Sequence, residues 1–359
     1  MAAEPGVLPE EGESVAPPAR RRRLRGLILS LAVTAIVIAL LLQVAKPAEI
    51  AQLLRGARPG YILLALGFYA SAYLFRAWRI RQFDFLSAIP LLRLLRIVTA
   101  HGFFNQVLPA RSGELTFIYF LRRYEEVEVG RGAGVLVLVR VYDYLAMSLC
   151  LFGALLLHRL GYSGDSFAGE GLLIGAAGLI FLLVLAAGLG LRPLWGGLMA
   201  LWNRYVSPAR WAQRRVFRTL GRWGGDVQDV LQRAGDVAFL SRILFFSILV
   251  WAGLYGTFWA LLQSVALGDY SLAEIVIGST GAALGSVLPI NAIGSFGTLE
   301  VGWAAGFALV GMPIEDGVAT SLLVHVCLLI FSAALMGAGY LIGSGGARRS
   351  NGAGRDRQG

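Results

Sequence analysis

Long apolar runs separated by short arginine-rich stretches set the pattern of this chain. Residues 27–44 form the first run, and Arg20 to Arg23 and Arg25 precede it. A second run, 61–78, closes on Arg76, Arg79 and Arg81. Further runs cover 134–157, 171–191, 243–267 and 317–342. A helix rising 1.5 Å per residue needs roughly 20 residues to cross a hydrocarbon core of about 30 Å. Each run is of that order and predicts a membrane-spanning helix. The first run is long enough to span, and no small-x-small cleavage site follows it, which speaks against a removed signal peptide.

Two apolar stretches, 87–121 and 272–312, are interrupted and do not read as single spans. The first breaks at Val107-Leu108-Pro109, followed by Gly113-Glu114. The second breaks at Val287-Leu288-Pro289, followed by Gly294, Gly297 and Glu300. Arginine flanks both ends of the first stretch, whereas Asp269, Glu315 and Asp316 border the second. Each therefore predicts a hairpin that dips into the membrane and returns, and the two enter from opposite faces. Irregular backbone at that depth is tolerated only where protein or a wet cavity surrounds it. Similar breaks on opposite faces are the mark of an inverted repeat with discontinuous helices meeting near the midplane. The expected fold is all-α: a polytopic helical membrane bundle with about six full spans and two re-entrant hairpins, or seven to eight spans if hairpin arms are counted.

Composition agrees with this pattern. Of 359 residues, 57% are hydrophobic and 15% charged, and the mean hydropathy is +0.66. A soluble domain carries roughly a quarter charged residues. The net charge of +10 does not indicate nucleic-acid binding, because the cations sit at the ends of apolar runs, where the positive-inside rule puts them. The same rule puts both termini in the cytoplasm, and the expected location is the cytoplasmic (inner) membrane. Residues 1–23 read as a disordered basic tail, 24–343 as one transmembrane domain, and 344–359 as a second disordered tail.

The loop 192–242 holds nine Arg against three Asp and is expected in the cytoplasm. Arg214, Arg218 and Arg222 share one helical face, with Phe217, Leu220, Val227 and Leu231 on another. This pattern fits a helix lying on anionic lipid; an ordinary topogenic loop is the competing reading. Tyr61, Trp78 and Trp251 read as interface anchors. His101, His158 and His325 are scattered, Cys150 and Cys327 lie in apolar runs, and neither set has metal-ligand spacing. No metal or cofactor is expected.

Ionisable groups inside the apolar runs are the candidate chemistry. Arg140 and Asp143 are three apart and share a helical face. A charge at a helix centre costs about 2.5–3.5 kcal/mol on insertion scales, so such groups line cavities or pair. A structural clamp between a span and a hairpin competes with a functional role. Arg111, Glu114 and Glu300 raise the same alternatives, and a Glu beside helix-terminal amides can serve simply as a cap. A lone His such as His325 is more often a hydrogen-bonded packing residue than a proton carrier.

Several segments together resemble the lysylphosphatidylglycerol synthase transmembrane-region family, also called flippase-like proteins. They are Phe75-Arg76-Ala77-Trp78-Arg79, Gly102 to Asn105, and Leu108 to Glu114. Leu138 to Asp143 is similar to the family's Glu-Arg-x-x-Asp segment, and Leu288-Pro289 with Gly294 to Glu300 to its Pro-Gly-Gly-x-Gly-Thr-x-Glu segment. The resemblance spans roughly 60–342 in order. Val139 stands where the family often has Glu, Ile293 and Ser295 where it often has Pro and Gly, and His325 where it often has Arg.

The resemblance implies a role in handling or flipping charged lipids. It also implies that the soluble aminoacyl-transfer domain of full-length synthases is missing, since about seventeen residues follow the last expected span. The leading expectation is thus a non-enzymatic translocator or binder of a polar or anionic-headgroup lipid. Arg111 and Arg140 would attract phosphate, and Asn105 would add hydrogen bonds. Gly113, Gly294 and Gly297 would allow close backbone approach. Glu114, Asp143 and Glu300 would position the arginines or carry protons. Arg76, Arg79 and His325 are further candidates. No P-loop is present, so transport would be passive or gradient-driven. The alternatives are an intramembrane transferase on lipid-linked substrates, with Glu114 or Asp143 as base, and a non-catalytic partner of a lipid-modifying enzyme.

Overall fold

The computed structural model describes residues 55–108, 112–162, 169–267, 269–285 and 297–352. The expected span 27–44, both tails apart from 344–352, Arg111, Gly294 and the break at Val287 to Pro289 lie outside the described residues. Within them the chain is all-α, with eleven α-helices. Five are long and apolar enough to cross a membrane. They are α1 (Pro59–Ile80), α5 (Val129–Leu157), α6 (Glu170–Leu201), α8 (Val237–Ser264) and α11 (Ile314–Gly352). A four-residue helix, α2 (Asp84–Ser87), and a surface helix, α7 (Arg215–Gln232), complete the set outside the hairpins.

Each hairpin has two short arms. The first is α3 (Leu91–Val107) and α4 (Glu114–Glu125); the second is α9 (Leu272–Gly285) and α10 (Thr298–Ala308). Arms of 17, 12, 14 and 11 residues reach roughly 26 Å at most, short of a ~30 Å core. None is long enough to span, and the two arms of each stretch pack on one another.

The two halves are related by inverted topology. α1 and α8 lie antiparallel. The Arg58 amide donates to the Ser264 carbonyl at 2.8 Å, the Thr257 hydroxyl reaches the Ala65 carbonyl at 3.5 Å, and Arg79 reaches Ser247 at 2.8 Å. Matching partners rise along one helix and fall along the other. The hairpins then cross over: α3 packs on α11, the span after the second hairpin, and α9 packs on α5, the span after the first. Exchanging the halves leaves this pattern of neighbours unchanged.

Glycine sets the packing of the second hairpin. Gly278, Gly281 and Gly285 of α9 face Gly302 and Gly306 of α10 so closely that an added Cβ would run into the opposite backbone or, at Gly278, the Phe307 ring. Apolar tails solvate helices as well as other helices do, so close backbone approach through small residues is what holds such arms together.

Two expected boundaries move, and the reading of one loop changes. α6 does not end at 191; it continues through Pro193 to Leu201, because a membrane helix tolerates a lost backbone donor when its neighbours cover the break. α11 continues to Gly352, past the expected boundary at 343. The loop 192–242 contains the amphipathic helix, but not lying wholly on lipid. Val227, Val230 and Leu231 are buried. Asp226 and Val230 dock where Gly130 and Gly134 of α5 leave no room for side chains. Burial and nearby Glu128 push the Asp226 carboxyl above its usual range. Only the first half of α7, with Val216, Leu220 and Trp223, keeps its apolar side chains exposed.

Gly302→Val should disrupt the second hairpin by forcing its arms apart, at a cost of about 1–3 kcal/mol or more. Gly175→Val, where nothing lies within 4 Å of the new Cβ, should be neutral. Thermal midpoints of the detergent-solubilised variants check this; equal midpoints would remove the glycine seam as a stabilising contact.

Candidate functional site

α1 ends one residue after Arg79. This arginine, which reads as part of a basic flank, is buried in the bundle at 3% exposure. Its guanidinium grips Asp143 of α5 through both carboxylate oxygens, the longer contact being 3.3 Å. Arg140, one turn before Asp143 on α5, lies 3.8 Å from the second oxygen of Asp143 and 3.2 Å from Glu114. Glu114 is the first residue of α4, immediately after the break in the first hairpin. Charges of alternating sign thus run Arg79, Asp143, Arg140, Glu114 and tie α1 and α5 to the hairpin. Pairing of this kind removes the cost that each charge would bear alone in hydrocarbon.

The network borders a cavity of about 260 Å³ where the two hairpins converge on α1, α5, α8 and α11. Arg76, Arg79, Arg140, Asp143, Asn105 and His325 line it. Arg76 stacks over the Tyr73 ring at 4.6 Å. Three guanidinium groups and one carboxylate, Asp143, therefore line the chamber, so its wall carries a positive surplus; Glu114 and Glu300 stand one contact behind it. Tyrosines and an amide continue the polar wall: Gln106 donates to the Tyr69 hydroxyl at 2.7 Å, and Tyr69 meets Tyr73 at 3.2 Å. Among the described residues the Asn105 Oδ1, the Trp251 Nε1 and the Nε atoms of Arg79 and Arg140 have no hydrogen-bond partner. Buried polar atoms are normally satisfied, and exceptions mark places where water or a ligand supplies the missing partner.

Glu300 belongs to this region but not to the cavity wall. It is fully buried in the first turn of α10. One carboxylate oxygen accepts from the Gly297 amide at 2.6 Å, so Glu300 caps its helix. The other lies 2.5 Å from Nδ1 of His325, which does line the cavity. Gly297 has φ +105°, a backbone conformation that L side chains rarely adopt. Its role here is the turn into α10. Gly113 does permit close approach, but of protein: an added Cβ would meet the Asn105 backbone, across the two arms of the first hairpin.

The structure therefore brings Asn105, Arg140, Asp143, Arg76, Arg79 and His325 to one cavity, with Glu114 and Glu300 each one contact behind it. Sequence reasoning missed Tyr69, Tyr73, Gln106, Ser247 and His101. His101 reaches the Gly113 carbonyl at 3.2 Å and joins the hairpin arms. Its spacing of four from Asn105 was the available signal, since it puts both on one face. Trp251 lines the cavity and is not only an interface anchor. A second buried pair, His158 and Glu170 at 2.6 Å, sits at the junction of α5 and α6, far along the chain from either hairpin.

A family model of the lysylphosphatidylglycerol synthase TM region matches residues 27–335. The chain belongs to that family. Membership gives it a membrane-lipid-related function and agrees with a multi-pass helical protein. No curated protein and no solved structure matches the chain.

Asp143→Ala should leave the Arg79 charge buried without its partner, at a cost of about 3–5 kcal/mol. Arg79→Met combined with Asp143→Leu should recover much of that loss. Thermal unfolding of the three variants is the measurement. A single variant as stable as the parent would show that the pair does not hold α1 to α5.

Proposed function

We propose that the protein moves an anionic-headgroup lipid between leaflets, the headgroup passing through the central cavity while the acyl chains stay in the bilayer. The observation that carries this reading is the surplus of guanidinium on the wall of a small chamber inside an apolar bundle. Hydrocarbon solvates no headgroup; arginine paired at the right distance binds phosphate strongly. The cavity of about 260 Å³ suits a headgroup better than a whole lipid. Inverted halves with broken helices meeting at such a chamber suit alternating access.

Glu114 and Asp143 are each held by arginine, which favours orienting those cations over proton abstraction. We therefore read the protein as a non-enzyme. Arg214, Arg218 and Arg222, with the exposed apolar side chains of the first half of α7, suit a cytoplasmic surface resting on anionic lipid. On this reading the membrane is the cytoplasmic one, with 192–242 inside.

Reconstitution into vesicles tests the main claim. The protein should speed leaflet exchange of a headgroup-labelled phosphatidylglycerol. Arg140→Gln should slow it about tenfold or more, the scale of one charged hydrogen bond worth ~1.5–3 kcal/mol. Exchange no faster than in protein-free vesicles would overturn the reading. Orientation has its own test: a single cysteine placed at Ser207 should react with an impermeant maleimide only after cells are opened. Labelling in intact cells would reverse the assignment.

A further inference from the structure

A second cavity, of about 650 Å³, lies between the first hairpin and the last span. It uses the opposite face of α3. His101, Gly102, Asn105 and Gln106 line the central chamber, whereas Arg96, Ile97, Ala100 and Phe104 line this outer groove. Phe120 and Tyr124 of α4 and Met336 and Tyr340 of α11 form its other walls. The groove is apolar along its length and cationic at one end.

That end is specific. The Arg96 guanidinium lies between two rings, 5.0 Å from Tyr124 and 5.1 Å from Tyr340. Among the described residues no carboxylate pairs with it; nearby Glu125 is engaged by Arg93 at 3.6 Å. The surrounding hairpin mouth carries Arg93, Arg96, Arg122 and Arg123 against Glu125 and Glu126. Tyrosine at this position is the residue expected at headgroup level. From Arg96 the groove descends along α3 to Phe104, eight residues or roughly 12 Å deeper.

We propose that this groove is a second lipid site, holding one acyl chain of an anionic glycerophospholipid whose phosphate is bound by Arg96. The charge argues for the occupant. The other candidate is the chain's own apolar segment 27–44, but it contains no carboxylate to meet the guanidinium. A phospholipid supplies both the chain and the anion. The site does not depend on what passes through the central cavity. It stands beside that cavity, on the other face of one helix.

Photo-crosslinking tests it on the full chain in vesicles. The probe is phosphatidylglycerol with a diazirine on one acyl chain, compared with the same probe built on phosphatidylcholine. Adducts should concentrate on Phe104, Phe120 and Met336 and favour phosphatidylglycerol. Arg96→Gln should cut the phosphatidylglycerol adducts about fivefold, the effect expected for one basic side chain at an anionic surface. Gly337→Leu keeps Arg96 and grows into the groove, where nothing lies within 4 Å of a new Cβ; it should abolish the adducts from both probes. Arg140→Gln should leave them unchanged even where exchange between leaflets fails, which separates this site from the central one. Adducts spread evenly over the lipid-facing helices, insensitivity to both groove variants, or adducts replaced by internal crosslinks to 27–44 would each overturn the proposal.

Discussion

A bilayer offers buried arginine no water, and the fold is organised around that constraint. Arg79 sits at the end of α1, inside the bundle, and among the described residues Asp143 and Ser247 answer its charge. Meeting them pins α1 against α5 and α8 together. Arg140 then shares Asp143 and reaches out to Glu114, which fixes where the first hairpin turns back. The chamber is what remains between elements held apart by these contacts. Its positive surplus is a by-product of the same arithmetic that makes the bundle stable, so binding and stability draw on one set of side chains.

The second hairpin reaches the chamber by another route. Its carboxylate, Glu300, is spent on its own helix terminus and on His325. His325 passes that connection to the cavity wall, which Ser279 and Leu299 of the hairpin also line. The two glutamates that follow the two breaks thus do different work: Glu114 answers a guanidinium from a neighbouring span, and Glu300 holds a helix end. In the last span it is an imidazole that touches this buried carboxylate.

Much of the architecture was legible because bilayer thickness turns run length into topology. Every described span coincides with a run read from the sequence, and both hairpins fall on the interrupted stretches. The site was less legible. Arg79 next to Trp78 at the end of an apolar run looks the same as a topogenic flank; its partner is 64 residues away and no local spacing reveals it. Arg140 and Asp143 were visible because helical periodicity puts them on one face. Tyr69, Tyr73 and Gln106 were not, since polar aromatics and amides in an apolar run have no period of their own. The end of α6 was misread because Arg192-Pro193 is a stop signal in water and a tolerated interruption in a membrane. The surface helix was recognised by its two faces, yet glycines on α5, outside the helix, decide that half of it docks on protein.

Symmetry of neighbours does not bring symmetry of stiffness. Among the described residues, the arms of the second hairpin meet backbone against backbone at several glycines. Those of the first do so at Gly113 and otherwise meet through His101 and the tilted rings of Phe104 and Phe120. The α9–α10 side of the chamber therefore meets a deformation with backbone against backbone, and the α3–α4 side meets it mainly with side-chain contacts.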